Sequence, residues 1–332
     1  REGVLNPAAI RGPDGQLYLY PRLVAEGNYS RIGRARVVFD GDGNPAGVER
    51  LGVVLEPEAA YEKNALTGGG VEDPRITYVE PLRLYVMTYT AYSTAGPRVA
   101  LAASRDLVAW ERLGLARFKS DDDTDFAAVD NKDAVLFPRL VQRPDGRPAL
   151  ALIHRPKFGL TRKVTPWPGV GLRLEPDELP RHEHESIWLS YAELAEPHEL
   201  EFGSHRRLLS PRARWESIKV GAGTAPVLTP HGWLIIYHGV GVRYGTREVR
   251  YSAGLLVLDA DRPDIIRYRT KRPVLTPGTD EREGILPDVV FPTGLDQRLD
   301  IGQSDRFDVY FGMADERIGA AILRLPRRLP HS

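Results

Sequence analysis

Asn6-Pro7-Ala8-Ala9-Ile10, Asp73-Pro74-Arg75-Ile76-Thr77, Asp133-Ala134-Val135-Leu136-Phe137, Gly223-Thr224-Ala225-Pro226-Val227 and Asp288-Val289-Val290-Phe291-Pro292 are five versions of one local pattern. Each opens on a polar or small residue and runs into an apolar or proline-containing strand. About ten residues on comes a second apolar strand: Leu17–Tyr20, Leu84–Tyr89, Ala149–Ile153, Trp233–Tyr237 and Asp308–Phe311. A third strand follows in most copies, as in Val99–Ala103, Ile187–Ala192 and Tyr251–Val257, and Trp110–Leu113 reads as an outer strand. The runs are short, β-branched and aromatic, and Asp14-Gly15, Asp42-Gly43, Asp145-Gly146 and His231-Gly232 punctuate them as turns. The chain is therefore expected to be all-β.

Repetition at about 60 to 90 residues, with three or four strands per unit, predicts a five-bladed β-propeller with the active site in its central channel. A single domain is expected over 1–332. The long third unit carries an insertion at about 157–185, rich in Pro, Arg, Glu and His, expected to form a loop on the rim of the site.

Composition narrows the function classes. The 332 residues carry 45 Lys+Arg against 45 Asp+Glu, which removes the electrostatic basis for general nucleic-acid or anionic-membrane binding. There is no cysteine, hence no disulfide framework, thiolate metal site or cysteine nucleophile. No apolar run approaches the roughly 18 residues of a membrane span, and Arg1–Ile10 lacks a signal-peptide pattern. A cytoplasmic location is expected, without nucleic-acid or membrane partners; a homo-oligomer is left open.

In a propeller the innermost strands line the channel, so their first polar residues converge. That set is Asn6, Asp73, Lys132, Asp133, Lys219 and Asp288, joined by Arg22, His154, Arg155, His238 and Asp315 at second-strand ends. Carboxylates mixed with cations in a neutral protein suit a neutral polyol plus a small anion. Three other signals are set aside. Gly221-Ala-Gly-Thr lacks the third glycine and helix of a dinucleotide fingerprint. His182-Glu-His184 could bind a metal but lies in the charged insertion without partner ligands, and Asp121–Asp125 lacks the EF-hand spacing; both read as solvated loops.

Seven stretches then carry a family resemblance: Gly69–Ile76 (GGVEDPRI), Lys132–Pro138, Ile153–Pro156, Lys219–Pro226, Gly232–Gly239, Val289–Gly294 and Tyr310–Asp315. Together they resemble glycoside hydrolase family 130, the inverting β-mannoside phosphorylases and related β-mannosidases. The resemblance implies a five-bladed propeller and phosphorolysis of β-mannosides to α-D-mannose 1-phosphate and a shortened acceptor. It implies Asp73 as the general acid, its proton reaching the glycosidic oxygen through a sugar hydroxyl. It places phosphate ligands at Lys132, Arg155 and His238, with Tyr244 or Tyr251 nearby. Asn6, Arg22, Asp133, Lys219, Glu283, Asp288 and Asp315 become candidates for the mannose hydroxyls, and Tyr92 or Trp188 for stacking on sugar faces. Asp288 stands where many relatives have Asn. No metal and no cofactor are expected; inorganic phosphate is the co-substrate and a β-mannoside oligosaccharide the partner. Tyr85–Ala91 and Ile187–Ala192 look closer to relatives acting on β-1,2-linkages. The alternatives are an inverting β-mannosidase, which needs a second carboxylate to activate water, and a carbohydrate-binding propeller without catalysis.

Overall fold

The computed structural model describes residues 3–64, 68–120, 125–158, 164–167, 171–174, 184–278 and 287–330. Among these the chain is all-β, with only single-turn 3-10 helices besides strands. Five antiparallel meanders follow one another. The first is β1 (Gly3–Arg11), β2 (Leu17–Ala25), β3 (Tyr29–Phe39) and β4 (Pro45–Leu55); the second is β5 (Gly69–Val79), β6 (Leu84–Ser93), β7 (Gly96–Ser104) and β8 (Glu111–Leu115). After β9 (Arg117–Phe118), the third contains β10 (Asp130–Leu136), β11 (Val141–Gln142), β12 (Pro148–Lys157), β15 (Ile187–Ala192) and β16 (Glu201–Leu209). β13 (Val164–Trp167) and β14 (Gly171–Leu174) make a separate hairpin inside the inserted stretch. The rest of that insertion, apart from its ends, lies outside the described residues. The fourth meander is β17 (Lys219–Ala222), β18 (Val227–Thr229), β19 (Gly232–Val242), β20 (Val249–Leu258) and β21 (Ile266–Arg269). The fifth is β22 (Val290–Gln297), β23 (Arg306–Met313) and β24 (Arg317–Arg324).

The first two meanders join edge to edge through a two-residue parallel contact, Tyr29 and Ser30 beside Gly69 and Gly70. Gly70 sits at φ 120°, and a Cβ there would lie 2.3 Å from the Ser30 carbonyl oxygen, so only glycine permits the contact.

Each meander is apolar on both faces because each packs between two others. In β10 and the residue after it, Val135 and Phe137 face the fourth meander's Trp233 and Ile235, while Ala134 and Leu136 face the second meander's Val86 and Leu101. The period of two explains why these strands read as continuous apolar runs. Further clusters join the first to the second meander and the fourth to the fifth, and Tyr310 packs on Leu17 and Leu19 between the fifth and the first.

A second repeat was not read from the sequence. Glu62, on the turn Ala60–Glu62, accepts from Tyr89 Oη at 2.6 Å and Arg112 Nε at 3.0 Å. Glu216, on the turn Arg214–Glu216, accepts from Tyr237 Oη at 2.9 Å and Arg269 Nη2 at 2.7 Å. In both, counting in sheet order within the meander, the tyrosine comes from the second strand and the arginine from the fourth. Each carboxylate is buried and also accepts from the backbone N–H that opens its turn. We expect Glu216→Gln to lower unfolding free energy by about 1–3 kcal/mol, the range for a buried hydrogen-bonded group losing its match; urea unfolding measures it.

Candidate active site

The polar residues read as preceding the first strands stand, in three meanders, inside them. The register slips between Leu5 and Ala8, between Glu72 and Arg75, and between Lys132 and Val135. Each slip is a bulge with one extra residue, holding Asn6-Pro7, Asp73-Pro74 or Asp133-Ala134. Asn6, Asp73 and Asp133 have φ of 46°, 48° and 54° there, and Asp288, just before β22, has 63°. Asn and Asp tolerate this left-handed conformation better than other side-chained residues, and proline suits a position that owes no ladder hydrogen bond. A bulge re-aims a side chain that would otherwise enter a sheet face. The fourth meander departs from the expected pattern: its first strand begins at Lys219 and breaks at Gly223, whose carbonyl accepts from Arg75 Nε at 3.0 Å.

These bulges bring carboxylates and cations together. Asn6 Nδ2 donates to Asp73 Oδ1 at 2.8 Å, and Arg22 Nη1 lies 3.5 Å from the same oxygen. Asp73 Oδ2 has no hydrogen-bond partner among the described residues. Arg22 Nη2 donates to Glu72 Oε1 at 2.7 Å. Asp315, at φ 56°, belongs to this group electrostatically: burial raises its pKa, Arg22 opposes the rise and Asp73 adds to it.

Arg75, only 1% exposed, ties the centre together. It donates to the Asp73 carbonyl at 2.9 Å and the Ala222 carbonyl at 3.0 Å, and approaches Asp133 Oδ1 at 3.5 Å. Asp133 in turn accepts from Arg155 Nε at 2.6 Å, with His238 Nε2 at 3.6 Å from the same oxygen. Burial disfavours its ionised form, but Arg155, His238, Arg75 and Lys132 outweigh burial and hold this carboxyl far below the usual range. Gly221 makes the approach possible, since a Cβ there would stand 2.3 Å from His238 Cε1 and 2.4 Å from Asp133 Oδ2.

The expected phosphate ligands separate. His238 is fully buried against Phe291 and Tyr251, and burial pushes its pKa down to about 3 despite Asp133. It is a neutral imidazole and brings no charge to an anion. Tyr251 stands beside it, whereas Tyr244 is 84% exposed in the turn after β19 with its ring against Arg214. Arg155 is engaged by Asp133 and by Glu185. Lys132 and Lys219, the latter expected at the sugar, have no carboxylate within ion-pair distance among the described residues. Both line one cavity of about 230 Å³ with Arg155, Lys157, Glu72, Tyr92, Asp130 and Glu185. Burial and the neighbouring Arg155 and Lys219 push the Lys132 ammonium down.

Asp288 is held by Arg250 at 3.2 Å and Arg243 at 3.6 Å. Glu283 lies outside the described residues. Trp188 packs with Phe126 and Phe158 under Arg207, not in this cavity. Glu72, Arg75, Lys157 and Glu185 were missed by the sequence reading; Glu72 and Arg75 flank Asp73 within the quoted motif and were the legible ones. A larger groove of about 870 Å³, around Trp110, Leu82 and Pro197, contains none of these residues. No group of three potential metal ligands occurs among the described residues.

His154 is also buried neutral: burial, then His205, keeps its pKa well below the ordinary value. Both histidines take up protons on unfolding near pH 6.5 but not while folded. Their stability contribution is thus complete above that pH and lost as pH falls toward the folded values. We expect the urea midpoint to fall steadily from pH 7 to pH 5; a flat midpoint would show that these imidazoles are not held neutral.

Residues 2–158 and 178–327 match the glycoside hydrolase family 130 profile, described as beta-1,4-mannooligosaccharide phosphorylase. The chain belongs to this family. It is 30% identical over 267 residues to the beta-1,2-mannobiose phosphorylase of Listeria innocua, an alignment covering 80% of this chain and 61% of that enzyme. It is 28% identical to the 1,2-beta-oligomannan phosphorylase of Thermoanaerobacter sp., covering 98% of this chain and 91% of the relative. The solved Listeria innocua enzyme in complex with beta-1,2-mannobiose superimposes with a TM-score of 0.69 at 25% identity, over 97% of this chain and 90% of that one.

Proposed function

We propose that this protein is an inverting β-mannoside phosphorylase acting on β-1,2-linked manno-oligosaccharides, releasing α-D-mannose 1-phosphate and a shortened acceptor. We further infer that the five meanders are blades of a single propeller whose central channel holds the site, with residues 157–185 as a rim insertion. The observation that carries the reading is the cavity in which Lys132, Lys219 and Arg155 meet Glu72, next to Asp73. Two of those cations lack carboxylate partners among the described residues, as an anion site requires. Lysine serves as a point charge for phosphate and arginine as a fork.

Chemically, a phosphate oxygen attacks C1 from the face opposite the glycosidic oxygen. The C1–O bond breaks and the leaving oxygen takes the proton of Asp73, directly or through a sugar hydroxyl. Asn6 and Arg22 orient Asp73 through one oxygen and leave the other for the proton. Phosphate is its own nucleophile, so the step needs one acid and no base, and no cofactor. Both β-1,2-acting relatives above support the linkage.

A second reading, inverting hydrolysis, is favoured by one observation: Glu72 and Glu185 line the cavity beside Asp73, and a hydrolase needs a second carboxylate at roughly 6.5–9.5 Å. Incubation with β-1,2-mannobiose with and without phosphate separates the two. We expect turnover only with phosphate; equal turnover without it would establish the hydrolase. We also expect Lys219→Met to raise the phosphate KM about tenfold or more, the value of one charged hydrogen bond, with a small change in sugar KM.

A further inference from the structure

Three carboxylates line the cation-rich cavity, an arrangement that at first sight opposes an anion. Glu185 is taken up by Arg155, and Asp130 pairs with Arg98 at 3.1 Å with its side chain 41% exposed. Glu72 differs from both. It is buried at 7% exposure, and its Oε1 is occupied by Arg22 at 2.7 Å and approached by Ser30 Oγ at 3.5 Å. Its Oε2 has no hydrogen-bond partner among the described residues, and the side chain lines the cavity. One oxygen is therefore fixed in place while the other remains available to whatever fills the cavity.

We propose that Glu72 is the selectivity element of the anion site, accepting a hydrogen bond from the proton of hydrogen phosphate and thereby rejecting oxyanions that carry no proton. This inference rests on the phosphorylase reading above. Near neutral pH phosphate and arsenate carry at least one proton, whereas sulfate carries none. Lys132, Lys219 and Arg155 attract all three alike, because ammonium and guanidinium groups only donate hydrogen bonds and every tetrahedral oxyanion can accept them. A desolvated carboxylate does distinguish them: it gains a charge-assisted hydrogen bond from a protonated anion and faces bare repulsion from an unprotonated one. The net positive cavity thus admits a doubly charged anion with a proton to give. The raised pKa of Glu72, caused by burial, opposed by Arg22 and reinforced by Asp73, is consistent with a carboxylate poised to share a proton.

The test is calorimetric titration of the full chain with phosphate, arsenate and sulfate. For the wild type we expect arsenate to bind within about threefold of phosphate and sulfate about 10- to 100-fold more weakly, the span of one charged hydrogen bond. In Glu72→Gln, whose amide can donate to a bare oxygen, the phosphate-to-sulfate ratio should collapse to within a few fold. Wild-type sulfate affinity equal to that of phosphate overturns the inference even if the variant fails to fold. Full discrimination retained in a folded Glu72→Gln also overturns it, while leaving the phosphate site intact. A wild type that binds none of the three anions overturns the phosphorylase reading itself, and the inference with it.

Discussion

Asp73→Asn should abolish most turnover of β-1,2-mannobiose while the protein melts normally. Asparagine accepts the left-handed backbone, φ 48°, that this position requires. Its carbonyl oxygen can still receive Asn6 Nδ2, now at 2.8 Å from Asp73 Oδ1. What it cannot supply is a proton to the glycosidic oxygen, so the expected loss is the roughly 10²–10⁴-fold typical of general acid catalysis. Alanine would be a poorer probe, because it would add backbone strain and leave Asn6 without its acceptor. The measurement is kcat in the phosphorolytic direction together with a melting curve. Near wild-type kcat in a normally melting variant would transfer the role to another carboxylate, and Glu72 and Asp315 would be replaced next.

The largest expected effect on stability lies far from the chemistry, where the last meander meets the first. Asp308, 1% exposed, accepts from Arg298 Nη1 at 2.6 Å and Arg306 Nε at 3.0 Å, and both arginines are buried. Arg306 reaches on to Asn44 Oδ1 at 3.0 Å, in the turn between β3 and β4. Nearby, Arg11 holds Asp296 with both ends of its fork, at 2.8 and 2.7 Å. Asp308→Asn would leave buried guanidinium charge without its principal counter-ion, which costs about 3–5 kcal/mol. The lower end is expected, because Asp300 still pairs with Arg298 at 3.0 Å. Urea unfolding reads the change, and a loss below 1 kcal/mol would show that this network does not secure the junction.

Much of the fold was legible because strands buried on both faces write themselves as short apolar runs, and turns as Asp-Gly pairs. Val135 and Leu136 face different neighbours yet are both apolar, so the run signals burial without saying against what. The Glu62 and Glu216 constellations were not legible, since each gathers residues from a turn and two separate strands. A single buried glutamate in a sequence looks like any solvated one.

The candidate site divides along the same line. The motif around Asp73 and the repeated Asn or Asp at strand starts could be read directly, because backbone with positive φ selects those residue types at those positions. The sequence by itself thus determined the all-β meander repeat, the family and the identity of the acid candidate. Charge state and partnership were decided by tertiary structure alone. His238 reads as a cation but is neutral because it is sealed from water; Arg155 reads as a phosphate ligand but is held by Asp133 and Glu185. Lys219 joins Lys132 in one cavity although 87 positions separate them in sequence. The physical reason is that burial and through-space contact set whether a side chain is charged and to whom it is bound, and neither is a property of its neighbours along the chain.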